Sequence, residues 1–452
     1  MLLSITEVVE MHLAVFSLFA AALIVCVIFN LSILYALLAG LLIFSLCAYK
    51  MGHNAKDIFS MMARGVKTAK GVILSLVLIG LLTALWRAAG TIPAIICYCS
   101  SLIHPKTVVI MSFLLNCAVS MLMGTAFGTA ATMGVISMTM GISMGADPVL
   151  LGGAIISGAY FGDRASPMST SALLVSELTE TNVFSNIRCM LRRSLLPMII
   201  CCAVYSLAGI FLHDGSASPE FESIFTRELQ ISPLCLIPAV LVIIMSFLKI
   251  RVQITMTVSI ISAAILCLTL QETGASALLS DIVYGFRAGD AELASLLDGG
   301  GIVSMLKNIA IIIISSTYAG IFSATGLLDG IKTHINNFAN RRGSYCAVLL
   351  SSALTSIISC NQTLAIMLTH QLCRDTESDR QQLALGIEDT AVLIAPLIPW
   401  SIAFSVPIAA IGAPDSAMAA ACFLYLVPLH ALLKSVGGRH GLHLRKGHLS
   451  VH

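Results

Sequence analysis

The stretch Gly158-Ala-Tyr-Phe-Gly-Asp-Arg-Ala-Ser-Pro-Met-Ser-Thr-Ser171 lies inside a long apolar run. It sets an acid (Asp163), a base (Arg164), four hydroxyls and a helix-breaking proline (Pro167) where a membrane span is otherwise expected. A carboxylate at the bilayer centre costs about 2.5–3.5 kcal/mol on insertion scales. Proline also frees backbone groups, which at membrane depth are tolerated only where protein or a water-filled cavity satisfies them. A segment that accepts both costs reads as a solute or ion site within a membrane helix.

The rest of the chain agrees with a membrane setting. It is 58% hydrophobic and 11% charged over 452 residues, against about 25% charged in a soluble protein. Mean hydropathy is +0.95. The expected fold is an all-α polytopic membrane protein in contact with lipid. A net charge of +2 gives no reason to expect nucleic acid as a partner. The fourteen cysteines are scattered through apolar runs without a CxxC and read as small buried hydrophobes. Glu7 and Glu10 precede the first apolar run in place of a basic n-region, so no cleavable signal is expected. The glycine pairs Gly124/Gly128, Gly141/Gly145 and Gly158/Gly162 read as close helix packing, not as a phosphate loop. No cofactor is expected, and no metal beyond a transported cation.

Apolar runs of spanning length fall near 11–29, 31–49, 70–88, 148–176 and 190–212, and again near 230–248, 251–271, 303–324, 385–411 and 414–434. Two further runs, 105–143 and 344–376, are broken at Gly124–Thr129 and at Asn361–Thr363 and read as re-entrant hairpins. Landmarks recur in order at similar separation: Asp57-Ile58 with Asp281-Ile282, Gly90 with Gly326, Pro167 with Pro399. The chain therefore divides into a first repeat (1–212), an acidic external linker (213–229), a second repeat (230–434) and a basic tail (435–452). Ten crossings with the N-terminus inside put the basic loops near 50–70, 188–193, 249–251, 332–342 and 434–448 in the cytoplasm with both termini, and the acidic loops outside. Five crossings per half is odd, so the halves are inverted, an architecture of secondary transporters.

The interruptions supply the candidate site. Asp163, Glu388 and Asp389 are its acids. Thr125, Thr129, Ser166, Ser169, Thr170, Asn361, Gln362, Thr363, Thr390 and Ser401 supply neutral polar groups, with helix breaks at Pro167, Pro396 and Pro399. Hard cations prefer oxygen ligands. Burial favours the neutral form of a carboxyl, so such an acid can also carry a proton. Structural readings stand beside the functional one. Asp163 can pair with adjacent Arg164, or Arg164 can reach another acid. Glu388 and Asp389 can be capping acids at a helix N-terminus. His370 reads as a satisfied or interfacial histidine, and His440, His443, His448 and His452 as solvated members of the tail.

These residues resemble the NhaC family of sodium/proton antiporters. Gly158–Ser171 is similar to its GAYFGDKMSPLSDTT. Leu78-Ile-Gly80 through Trp86 to Gly90-Thr-Ile-Pro93 is similar to its third-span pattern, Gly124-Thr-Ala-Phe-Gly-Thr129 to its GTSWGT, and Glu388-Asp389 through Pro396-Leu-Ile-Pro-Trp400 to its EDSGTVTSPLIPWN. The resemblance spans most of the chain in order. It implies a scaffold half and a transport half with two re-entrant hairpins, a homodimer, elevator-type movement and a bacterial inner membrane. Departures are specific. Thr170 and Asn361 stand where the family has Asp, and Ala126, Val392, Ile394 and Ala395 stand where it has hydroxyl residues.

Ion-coupled secondary transport is the leading expectation, with sodium/proton antiport first and sodium- or proton-coupled movement of a small organic acid or amino acid as the alternative. An intramembrane aspartyl protease using Asp163 and Asp389 would want a GxGD-like pattern, and Tyr160 stands in place of its first glycine. A channel fits less well than alternating access, because both inverted halves are broken. No nucleotide-binding loop points to a primary pump.

Overall fold

The computed structural model describes residues 31–68, 70–99, 105–167, 169–211, 225–248, 250–325, 332–359 and 361–447, with scattered positions between 14 and 29. Among these, regular structure is helical apart from one isolated bridge between Phe286 and Gly299. Helices α1 (Ile33–Lys50), α2 (Ala55–Thr68), α3 (Lys70–Ala88) and α4 (Thr91–Cys99) lead to a first hairpin of α5 (Val108–Met123) and α6 (Ala126–Ser143). A broken helix follows as α7 (Pro148–Ala165) and α8 (Thr170–Leu178), then the long α9 (Val183–Phe211). The second half runs α10 (Ile237–Phe247), α11 (Val252–Thr269), α12 (Ala275–Tyr284), α13 (Ala291–Leu297), α14 (Gly301–Thr325) and α15 (Lys332–Arg342). Its hairpin is α16 (Ser344–Ser359) and α17 (Gln362–Cys373), its broken helix α18 (Arg380–Ile394) and α19 (Ile402–Ile411), and its last helix α20 (Cys422–Gly447).

Among the described residues five helices are long and apolar enough to cross a bilayer, or seven when the bent pairs α3–α4 and α18–α19 each count once, and shorter apolar helices accompany them. The chain is an all-α polytopic membrane protein. The order of hairpin, broken helix and long helix occurs once in each half. Much of the first expected crossing (11–29) and most of the linker (213–229) lie outside the described residues, as do 448–452. The last helix continues through residue 435, where a tail was expected to begin, as far as Gly447.

The first hairpin is deeper than its sequence suggests. The expected interruption at 124–129 shrinks to Gly124 and Thr125, with α6 helical from Ala126 and carrying a π turn at Ala130–Gly134. Gly124 makes the sharp turn: its φ of 66° is left-handed, which glycine adopts without cost, and its N–H closes α5 on Ser120 O at 2.8 Å. With the helical turn Pro105–Thr107 that precedes α5, both legs are then of spanning length, 19 and 18 residues.

Packing differs between the halves. In the first, α5 lies backbone to backbone on α7. A Cβ on Gly158 would sit 2.6 Å from Phe113 O, and one on Gly162 would overlap the backbone of Ser120 and Met121. Ser120 Oγ donates to Ala159 O, and Ser166 Oγ to Met121 O at 2.7 Å. In the second, α16 and α18 meet through side chains. Ser352 Oγ and Thr390 Oγ are 2.7 Å apart, and a Cβ on Gly386 would find Val348 at an ordinary 3.6 Å. The halves also interlock: Tyr160 OH on α7 donates to Ala403 O on α19, and Tyr205 OH on α9 donates to Ala420 O at 2.8 Å. One apolar core joins α3–α7 to α19 and α20, while a second joins α1 and α2 to α14–α18, so neither half of the chain has a core of its own.

Candidate ion-coupling site

Helix α7 starts where sequence dictates. Asp147 caps it, accepting from Leu150 N at 2.8 Å, and Pro148 occupies the first turn, where no N–H is needed. Its end is set by Pro167. A proline has no N–H for the carbonyl four residues earlier, and that carbonyl belongs to Asp163. Two hydroxyls take the vacant position: Ser169 Oγ and Ser171 Oγ both donate to Asp163 O, the latter at 2.7 Å. Ser169 Oγ also accepts from Ala172 N and so starts α8. The Asp163 carbonyl is thus bonded across the break, which fixes the backbone from which the Asp163 side chain projects.

That side chain is 5% exposed and is held by both hairpin tips. Oδ1 accepts from Ala126 N at 3.2 Å, at the start of α6, and Oδ2 accepts from Gln362 Nε2 at 3.0 Å, at the start of α17. Gln362 Nε2 is anchored in turn on Val392 O at 3.1 Å. Among the described residues no lysine or arginine forms an ion pair with Asp163.

Arg164 turns away and reaches a different acid. Its Nη2 pairs with Asp389, fully buried on both sides, and its Nη1 donates to Ser194 Oγ at 2.5 Å. Asp389 is also paired at 3.0 Å with Arg193, which is 27% exposed and donates to Gln382 Oε1 at 2.6 Å. Arg193 lines a cavity of about 620 Å³ together with Tyr345, His430 and Lys434. Glu388 is buried, and its Oε2 has no hydrogen-bond partner among the described residues. The capping role considered for Glu388 and Asp389 does not apply. Helix α18 begins at Arg380 under an Asp379 cap, so both acids are mid-helix. Both arginines, one fully buried and one at a cavity rim, are therefore paired with Asp389.

The remaining candidates separate. Ser166 and Ser169 shape the break. Thr125 and exposed Thr170 line a cavity of about 370 Å³ beside the first tip. Thr129 Oγ1 donates to Thr125 O at 2.9 Å. Asn361 caps α17, its Oδ1 accepting from Thr363 N at 2.8 Å, while the Thr363 side chain is exposed. Thr390 is bonded to Ser352 and to Gly386 O, away from the Asp163 carboxylate. Ser401 caps α19, accepting from Ala403 N at 3.2 Å. Pro396 lies in the short turn Ala395–Leu397, and Pro399 in the following link. The Ala126 N–H, Ser171 and Arg193 were not singled out from sequence. A backbone donor leaves no sequence signal, but counting four back from Pro167 points to the Asp163 carbonyl and hence to nearby hydroxyls.

Asp163 is thus suspended between two hairpin tips beside a broken helix, and comparison with known proteins places the chain that carries it. The model of the Na+/H+ antiporter family matches residues 1–173 and 158–432. The chain belongs to the Na+/H+ antiporter family. It is 29% identical over 387 residues to the malate-2H(+)/Na(+)-lactate antiporter of Bacillus subtilis, covering 83% of this chain and 82% of that one. It is 25% identical over 397 residues to the Na(+)/H(+) antiporter NhaC of Alkalihalophilus pseudofirmus, covering 85% of each. It is 25% identical over 380 residues to the arginine/ornithine antiporter ArcD of Halobacterium salinarum, covering 81% of this chain and 78% of the relative. Relatives named for inorganic and for organic cargo thus lie at similar distance from this family member.

Proposed function

We propose that the protein exchanges sodium ions for protons across the membrane by alternating access, with Asp163 as the coupling acid. One observation carries this: Asp163 is buried, held by the tips of both hairpins, and has no cationic partner among the described residues. An uncompensated buried carboxylate is costly. It is relieved either by a cation or by a proton, and the two exclude each other, which is the logic of antiport. The proposed ligands for a sodium ion are the Asp163 carboxylate and carbonyls of the break and tip, a hard-ligand set. Because the carboxylate is held by both hairpins, occupancy changes the contact between the halves. Asp389, clamped by Arg164 and Arg193, serves as a fixed counter-charge. Glu388, buried beside this network without a partner for Oε2, is a second proton-carrying group. The same reading has the protein in the bacterial inner membrane as a homodimer with both termini cytoplasmic, which cysteine labelling in intact cells tests.

The decisive experiment uses purified protein in liposomes with an internal pH dye. Pulses of sodium are expected to drive proton movement, and potassium much less. Absence of any cation-evoked proton movement in well-folded protein would refute the proposal. The alternative, coupled movement of a small organic acid, is favoured by one feature: the Thr125–Thr170 cavity is far larger than an ion requires.

A further inference from the structure

That cavity, of about 370 Å³, falls within the range of small-molecule sites, roughly 300–1,000 Å³. Its walls are mostly apolar, with Phe127 and Met256 among them; half-buried Thr125 and Gln253 also line it, as do Thr170 and Arg251, which are exposed. Among the described residues of the lining, Arg251 is the one ionisable group, and no acid accompanies it. A route for bare cations alone would gain nothing from an arginine, which repels them. A guanidinium is instead suited to bidentate pairing with a carboxylate. Gln253 is already fixed, its Nε2 donating to Gly71 O at 3.1 Å.

The cavity also abuts the ion site on two sides. Thr125 is followed by Ala126, whose N–H holds the Asp163 carboxylate. Thr170 follows Ser169, whose hydroxyl holds the Asp163 carbonyl. A solute that moved either threonine would act on Asp163 through one peptide bond.

We propose that this cavity binds a small organic carboxylate, its anionic end on Arg251 and its apolar body against Phe127 and Met256, and that the solute is carried together with the ion at Asp163. The inference rests on Asp163 being the coupling acid and adds a cargo to it.

The test is uptake of labelled lactate, malate and ornithine by proteoliposomes under imposed sodium and pH gradients, with wild type, Arg251→Gln and Arg251→Lys. Wild type is expected to accumulate lactate or malate and to discriminate against ornithine, which carries net positive charge beside its carboxylate. Arg251→Gln should raise the KM for the carboxylate at least about tenfold, or about 1.4 kcal/mol, and Arg251→Lys should recover part of it. Sodium-evoked proton movement without carboxylate should persist in both variants, which also reports folding. Unchanged carboxylate KM in Arg251→Gln, or preference for ornithine, overturns the inference. Sodium/proton exchange by wild type with no uptake of either carboxylate overturns it while leaving the antiport reading intact. Loss of both activities in Arg251→Gln assigns Arg251 a structural role and overturns it too.

Discussion

The two halves build the same arrangement, a hairpin against a broken helix carrying an acid, and then use it differently. In the first half the hairpin leg α5 rests on α7 through glycines, backbone on backbone, and Asp163 is held by uncharged donors alone. In the second, α16 rests on α18 through hydroxyls and apolar side chains, and Asp389 is clamped by two arginines. Residue type and burial are alike for the two acids, so the counter-charge is what distinguishes them, and the proposed roles rest on it. One carboxylate is left needing a cation or proton. The other is already satisfied and orders the interior.

The sharpest way to break this comparison is to neutralise each acid. Asp163→Asn keeps size and an acceptor for Ala126 N–H but removes the charge. Sodium-driven proton movement should fall to the level of empty liposomes, while expression and gel-filtration behaviour stay normal. Near-normal exchange by a well-folded Asp163→Asn protein would move the site elsewhere. Glu388→Gln mimics a permanently protonated acid. It should fold and still bind sodium, but its exchange rate should lose part of the wild-type dependence on pH. An unchanged pH profile removes Glu388 from the proton path.

Asp389→Asn should instead damage the fold. It leaves Arg164 buried without a full counter-charge, and breaking a buried pair from one side typically costs about 3–5 kcal/mol. A large drop in the thermal midpoint in detergent is expected. Replacing both partners, Arg164→Met with Asp389→Leu, should recover much of that loss, since Arg193 keeps its access to the cavity. If Asp389→Asn is as stable as wild type but inactive, Asp389 belongs with Asp163 and the contrast between the halves fails.

A smaller effect separates the two packing modes. Gly162→Ala drives a methyl into the Ser120–Met121 backbone and should cost about 1–3 kcal/mol, as overpacking does. Gly386→Ala meets only Val348 at contact distance and should be neutral, or stabilising by up to about 1 kcal/mol through helix propensity. Equal penalties at both positions, measured as thermal midpoints, would mean that the interfaces are equally tight.

Much of this was legible in the sequence. Hydropathy and the recurring breaks mark the helices. Asp163 stands out because an acid beside a proline inside an apolar run is costly twice over, in charge and in backbone. Gln362 and the tip at Gly124 are visible too, as polar or glycine-rich breaks in apolar hairpins. What sequence could not supply was pairing between distant segments. Arg164 had two acids to choose from, and only the fold shows that helix α7 turns it toward Asp389. The Ala126 N–H is invisible because nearly every residue has one. Capping stood open beside the site reading for Glu388 and Asp389 because the apolar run begins only near 385, whereas helix α18 starts at Arg380, in the polar segment capped by Asp379.

The last expected effect is the smallest and concerns how the second hairpin is moored. Its base is tied at the surface by Lys332 to Asp375 at 2.7 Å, linking α15 to the end of α17, with Arg380 paired to Glu180 nearby. The first hairpin is held instead by buried backbone contact. Exposed pairs are worth little and are screened by salt. The Lys332 ammonium beside Asp375 nonetheless holds its carboxyl below the usual carboxylate range. The sign follows from linkage. A depressed folded value contributes stability above the unfolded value, near pH 3.9, and that contribution is lost as pH falls through the folded value. Between about pH 5 and 8 the pair is fully charged and gives no pH dependence. Asp375→Asn should therefore leave the pH profile of transport unchanged in that window and shift the thermal midpoint only slightly, less still in high salt. A pH profile that moves in Asp375→Asn would mean that the mooring of the second hairpin, and not the acids inside, sets the working range. The contrast between a first half with an unpaired acid and a second half with a clamped one would then have to be redrawn around the hairpin base.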